Sequence, residues 1–287
     1  MKGTRVGIGA LAVVGCAGAA CMAGGGRVSV IGHDEQPVQP SERPTQQVHA
    51  HNDSTIELPS DEEIVEPDHP AVGSTQERAL AHVHTSRGVC SGVVVAPRVV
   101  VTAHQCLGEA AGGITAVAPN AKLYVEVATS TLTWTRRQVS FVVTPSCVWE
   151  KLDVAALVLA ESIEWVKPLK VTTLPPPGQT VQALGYGRCS GETRGIAHRK
   201  GQLLRSEGDA FVIDLSLCKG DIGGPVVDEV SGDLLGVISH QDDPDDAPRH
   251  TTTIERLDST PARAVVAQAV KLAASPDGVK LEAVACE

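Results

Sequence analysis

Residues 218 to 227 read Cys-Lys-Gly-Asp-Ile-Gly-Gly-Pro-Val-Val. The stretch has the look of a nucleophile loop, yet Ile222 stands where hydrolytic chemistry would need a hydroxyl, and saturated carbon has no lone pair with which to attack a carbonyl. Other residue types with chemical capacity are scattered. His82 and His84 alternate on one strand face, and His49 and His51 form a second such pair; imidazoles at this spacing can share a metal ion. No cysteine or acidic residue stands beside either pair, so they read as exposed strand and linker residues and no metal is expected. No CxxC or Cys/His spacing suggests a structural zinc site, and no cofactor is implied. Asp242, Asp243, Asp245 and Asp246 crowd one short segment. Such a cluster can attract a basic peptide or Ca²⁺, although a solvated turn is its commoner meaning.

The elements that must position these residues are mostly strands. The chain has 287 residues, 42% of them hydrophobic but only 2% aromatic, so a core has to be built from Val, Ala, Leu and Ile. Short Val-rich runs separated by Gly and Pro favour an all-β fold. Residues 88–107 predict two apolar strands around an Ala-Pro-Arg turn, and residues 151–160 a short apolar run opened by Asp153. Residues 172–188 predict a proline-rich connector that feeds a strand and a Gly-Tyr-Gly turn. One helix is predicted near the end, with Thr260 as N-cap, Pro261 at the first helical position, and an apolar stripe of Val265, Val266, Ala269, Val270 and Ala273.

The first residues read as an export signal. Lys2 and Arg5 precede a ten-residue apolar run too short to span a bilayer, which ends in Val13-Val14-Gly15-Cys16. That ending resembles a bacterial lipobox and implies lipidation of Cys16. An ordinary signal peptide cut near Ala20 or Ala23 is the alternative. Ala17, rather than Asp, follows the cysteine, which places the protein at the outer membrane if the cell has one. Residues 16–70 then read as an anchor and disordered acidic tether, with ten acidic against two basic residues between 22 and 70. As a flexible coil the tether reaches on the order of 40 Å. From residue 71 onward 24 acidic residues face 20 basic ones; nothing there argues for nucleic acid.

Residues 71 to 287 resemble a trypsin/chymotrypsin-type serine protease domain. Cys90-Ser-Gly resembles the family's Cys-Gly-Gly, and "VVVTAHQC" its Val-Leu-Thr-Ala-Ala-His-Cys. "DVAAL" resembles its Asp-Ile-Ala-Leu, "GYG" its Gly-Trp-Gly, "CKGDIGGP" its Cys-x-Gly-Asp-Ser-Gly-Gly-Pro, and "GVIS" the strand before its Ser-Trp-Gly. The resemblance implies two six-stranded antiparallel barrels, about residues 71–174 and 175–258, with a cleft between them and a C-terminal helix over about 260–275. Carried over by position, it puts Ile222 at the nucleophile and Gln105 at the general base, and it retains Asp153 as the orienting carboxylate. His104 falls one residue early. On a tight helical turn that rotates the side chain by about 100°, away from the cleft.

The resemblance also implies an oxyanion hole from the N–H groups of Gly220 and Ile222. Ser216 falls at the bottom of the specificity pocket and Ser239 at its edge, the latter within the Ser239-His240-Gln241 counterpart of Ser-Trp-Gly. Asp221 matches the buried aspartate that pairs with a freshly cut N-terminus in active relatives. Ala71-Val-Gly-Ser is the candidate for that terminus, although Pro70 before it hinders a trypsin-like cut. Expected disulfides are Cys90–Cys106, Cys189–Cys218 and, by elimination, Cys147–Cys286, with Cys21 left over. The function implied is a non-catalytic module that binds peptide or protein ligands in the former substrate cleft and is tethered to the cell envelope. The alternative is an active serine-type endopeptidase with an unusual constellation.

Overall fold

Val-rich segments of four to eleven residues become strands because their β-branched side chains pack well on a pleated surface. The computed structural model describes residues 72–108, 112–129, 133–146, 151–189, 195–242 and 250–275, all within one compact unit, residues 62–287. The first group of strands is β1 (Leu80–Thr85), β2 (Gly88–Ala96), β3 (Val99–Thr102), β4 (Gly113–Ala116), β5 (Tyr124–Ala128), β6 (Trp134–Thr144) and β7 (Ala155–Leu159). They pair antiparallel in the order β6-β5-β1-β2-β3-β7, and β6 pairs again with β7 to close a six-stranded barrel; β4 extends the sheet from β6. The second group is β8 (Thr180–Gly185), β9 (Ala197–Glu207), β10 (Ala210–Ile213), β11 (Pro225–Asp228), β12 (Leu234–Asp242) and β13 (Thr251–Arg256). It closes as β10-β13-β12-β11-β8-β9. The all-β architecture of two six-stranded barrels with a closing helix is therefore the observed one. Among the described residues no helix is long and apolar enough to cross a membrane.

The cores follow the composition. Val83, Val93, Val99, Val101, Val125 and Val127 are fully buried in the first barrel, while the second wraps Phe211, Ile213, Leu235 and Ile238. Strand β7 is buried at every position because one face looks into the barrel and the other lies under the C-terminal helix α2 (Thr260–Ala274). The Ala-Pro-Arg turn between β2 and β3 locks that helix down. Arg98 donates from Nε to the Leu159 carbonyl at 2.9 Å and from its guanidinium tip to the Ala273 carbonyl at 2.8 Å, satisfying a carbonyl of the helix's last turn that has no partner within the helix.

Two local readings are corrected. The cap of α2 is Ser259, whose hydroxyl accepts from the Ala262 N–H; Thr260 is already helical, so Pro261 sits one position deeper than expected. The apolar stripe also differs: Ala262, Val265, Ala269 and Leu272 are buried, whereas Val270 is exposed. A short helix α1 (Thr75–Ala79) was not anticipated, although Ser74-x-x-Glu77 is a capping box in sequence and forms one here.

Candidate functional site

The cleft residues converge from three connections. After β3, a 3-10 turn over His104–Leu107 is pinned to β2 by the Cys90–Cys106 disulfide, with Cα atoms 6.2 Å apart. Asp153 lies just before β7 and is 1% exposed. Its Oδ1 accepts the Gln105 backbone N–H at 2.8 Å, and its Oδ2 accepts both the Gln105 side-chain amide at 2.7 Å and the Ser239 hydroxyl at 2.7 Å. The same amide nitrogen donates to the Ser239 carbonyl at 2.8 Å. Gln105 thus fills the space beside Asp153 with a donor rather than a proton acceptor. Ser239, expected at the pocket edge, turns its side chain into this network.

His104 does not join it. It is 4% exposed, and among the described residues neither ring nitrogen has a hydrogen-bond partner. The one-residue offset from Gln105 sends its ring into packing instead of toward Asp153.

Behind Asp153 lies a residue the sequence did not flag. Glu255 on β13 is 7% exposed, and it accepts a hydrogen bond from the Asp153 backbone N–H. Burial first, then the nearby charge of Asp153, push its carboxyl up to about 7. The signal was faint: an acidic residue following a Thr-Thr-Thr-Ile run in a strand.

The loop from Cys218 to Gly224 is held from beneath. Cys218 pairs with Cys189, Cα atoms 5.1 Å apart. Asp221, 1% exposed, accepts the Gly187 N–H at 2.8 Å, the Cys218 N–H at 2.9 Å and Arg199 Nε at 2.9 Å. Its cationic partner is therefore Arg199 of β9; Val72 is buried, and Ala71, the expected terminus, lies outside the described residues. Glycine is required where this loop meets the first barrel. A Cβ on Gly223, at φ +83°, would sit 2.1 Å from Thr102 Oγ1 and 2.3 Å from the Ser91 carbonyl.

Ser91, where the family has glycine, adds a staple. Its hydroxyl donates to the Gly220 carbonyl at 2.8 Å and accepts the Tyr186 N–H at 3.0 Å, and its own N–H donates to the Ile222 carbonyl at 2.9 Å. Among the described residues no hydrogen bond engages the N–H groups of Gly220 or Ile222. Ile222 is half-buried and Ser216 exposed. Gln241 Oε1 accepts the Leu217 N–H at 2.6 Å, joining the pocket-bottom segment to the opposite edge.

Several sequence expectations fall outside the described residues: Cys16 and its flanks, Cys21, His49 and His51, Asp243, Asp245 and Asp246, the side chain of Asp242, and Cys147 with Cys286.

Two antiparallel barrels and an Asp153-centred network define a chymotrypsin-like serine peptidase scaffold. Residues 90–237, just over half of the chain, match the model of the trypsin-like peptidase domain, and the chain belongs to that family. The cercarial protease of Schistosoma mansoni is 25% identical over 203 residues, 56% of this chain and 74% of that protein. Among solved structures, neuropsin, a serine protease expressed in the limbic system of mouse brain, shares the fold. Its TM-score is 0.53 at 18% identity, over 71% of this chain and 98% of that one. The scabies mite inactivated protease paralogue S-I1 overlaps at a TM-score of 0.49 and 17% identity, over 65% of this chain and 93% of the other. That overlap is too loose to bear on function.

Proposed function

We propose that this chain is a non-catalytic member of the trypsin-like peptidase family that holds a peptide or protein ligand in the cleft between its barrels. The observation that carries this reading is the Gln105 carboxamide, donating to Asp153 and to the Ser239 carbonyl. A carboxamide nitrogen cannot take a proton from a nucleophile near neutral pH, and Ile222 offers no nucleophile to activate. Loss of either member of such a constellation lowers turnover roughly 10⁶-fold, about 8 kcal/mol of barrier. Binding capacity does not depend on either side chain. The N–H groups of Gly220 and Ile222 suit a peptide carbonyl or carboxylate, and the Leu217–Gln241 bridge favours ligands read through their backbone over those that need a deep side-chain pocket. The Cys16 motif supports display from the cell envelope on a lipid-anchored tether.

The test is twofold. The purified protein should show no mass adduct with a broad serine-reactive phosphonate and should cleave no denatured protein substrate, while retaining peptides from a random library. The Gln105→His/Ile222→Ser double variant should acquire phosphonate labelling at residue 222, whereas each single variant stays unlabelled. A phosphonate adduct on the native chain overturns the reading.

A further inference from the structure

The two histidines of β1 acquire in the fold the acidic neighbour they lack in the sequence. Side chains at i and i+2 of a strand share a face. Ala81 and Val83 point into the barrel and are fully buried, so His82 and His84 face outward together. The register of β1 with β5 sets Glu126 directly opposite His82. Its Oε2 accepts from His84 Nε2 at 2.9 Å, a diagonal cross-strand reach. One ligand-type atom from each of His82, His84 and Glu126 lies within 4.8 Å of the other two, and all three residues are half-buried. The remaining carboxylate oxygen, Oε1, is held by Arg136 at 3.3 Å, which orients the group from outside.

The surroundings strengthen the case. The whole chain has only two tyrosines and three tryptophans, yet both tyrosines and one tryptophan gather here. Tyr124 stacks on His84 with ring centroids 4.5 Å apart, Trp134 stacks on His82 at 5.0 Å, and Tyr186 meets His82 edge-on at 3.5 Å. A set of two imidazoles and one carboxylate in an aromatic wall has the donor chemistry and the water-limiting shell of a transition-metal site.

We propose that His82, His84 and Glu126 bind a divalent transition-metal ion, with zinc the best match to a nitrogen- and oxygen-donor set. Bond lengths of about 2.0–2.2 Å put tetrahedral ligand atoms about 3.3 to 3.6 Å apart, so modest side-chain rotation completes the site. Three protein ligands leave one position for water or an exogenous anion. The ion would tie β1 to β5. It would also fix the ring against which Tyr186 packs, and Tyr186 is joined through Ser91 to the Gly220 carbonyl.

The experiment uses the full chain stripped with a chelator and titrated with ZnCl₂ by calorimetry and thermal unfolding. A Co²⁺ absorption spectrum serves as an independent readout. One ion per chain is expected, with the melting temperature raised by about 5 to 10 °C at zinc a hundredfold above the dissociation constant. Glu126→Gln and His84→Ala should each weaken binding at least tenfold, and the tetrahedral Co²⁺ bands should disappear. His198→Ala, which breaks a separate exposed His–Glu pair at 2.7 Å, should bind like the native chain. Circular dichroism of the metal-free variants establishes that they fold. No saturable zinc binding to the native chain, or equal affinity in the Glu126→Gln and His84→Ala variants, overturns the proposal.

Discussion

On the proposed reading, Gln105 maintains a hydrogen-bond network around Asp153 without supplying a proton acceptor. An imidazole beside a buried carboxylate can take up a proton and release it; a carboxamide in that place donates hydrogen bonds but takes up no proton near neutral pH. The buried carboxylate of Asp153 keeps its hydrogen-bond partners. Glu255 makes the energetic side testable. In the unfolded chain its carboxyl ionises near 4.5, whereas burial and Asp153 delay ionisation in the fold to about 7. Between those values the folded state holds a proton that the unfolded state has released, so this group makes stability fall as pH rises from 4.5 to 7, and the loss levels off above that window. The expected size is on the order of 3 kcal/mol. Urea unfolding of the native chain and of Glu255→Gln at about pH 5 and about pH 8 should show the variant's curve flattened over that range and the variant more stable at the alkaline end. An identical pH slope in both proteins assigns the ionisation to another group.

At the scale of elements, the docking of α2 can be dissected one position at a time. Leu272 is 2% exposed and Val270 is 41% exposed, although a stripe drawn from the sequence pattern favours Val270. Leu272→Ala should therefore lower stability by about 2–5 kcal/mol, Ser259→Ala by about 1 kcal/mol through loss of the cap, and Val270→Ala by less than about 0.5 kcal/mol. Equal losses at 270 and 272 would show that the helix sits in another rotation. The contrast also marks what a sequence makes legible. The barrels, the closing helix and both described disulfides were readable because short contiguous motifs and cysteine positions encode them. Arg199, Glu126 and Glu255 were not, since each finds its role through strand register. Arg199 meets Asp221 across 22 residues and His84 meets Glu126 across 42, and no local pattern specifies which strands become neighbours. His104 and Gln105 were separable beforehand only because Cys106 fixes their phase on the turn.

For the whole molecule, the proposed anchor makes a separate prediction. If Cys16 carries acyl chains, the native chain expressed in a bacterium with a lipoprotein pathway should partition into the detergent phase and yield a mass shift on the peptide that begins at Cys16. Cys16→Ala should move to the aqueous phase with its disulfides intact. Equal partitioning of the two proteins removes the lipid from the scheme and leaves the ordinary signal peptide. Arg199, finally, gives Asp221 its positive partner from within the folded unit. A guanidinium carried on β9 arrives with the polypeptide itself, so Asp221 is neutralised as soon as the barrel closes. If the cleft binds a ligand as proposed, the Asp221 loop draws its balancing positive charge from Arg199 and not from a newly liberated amine.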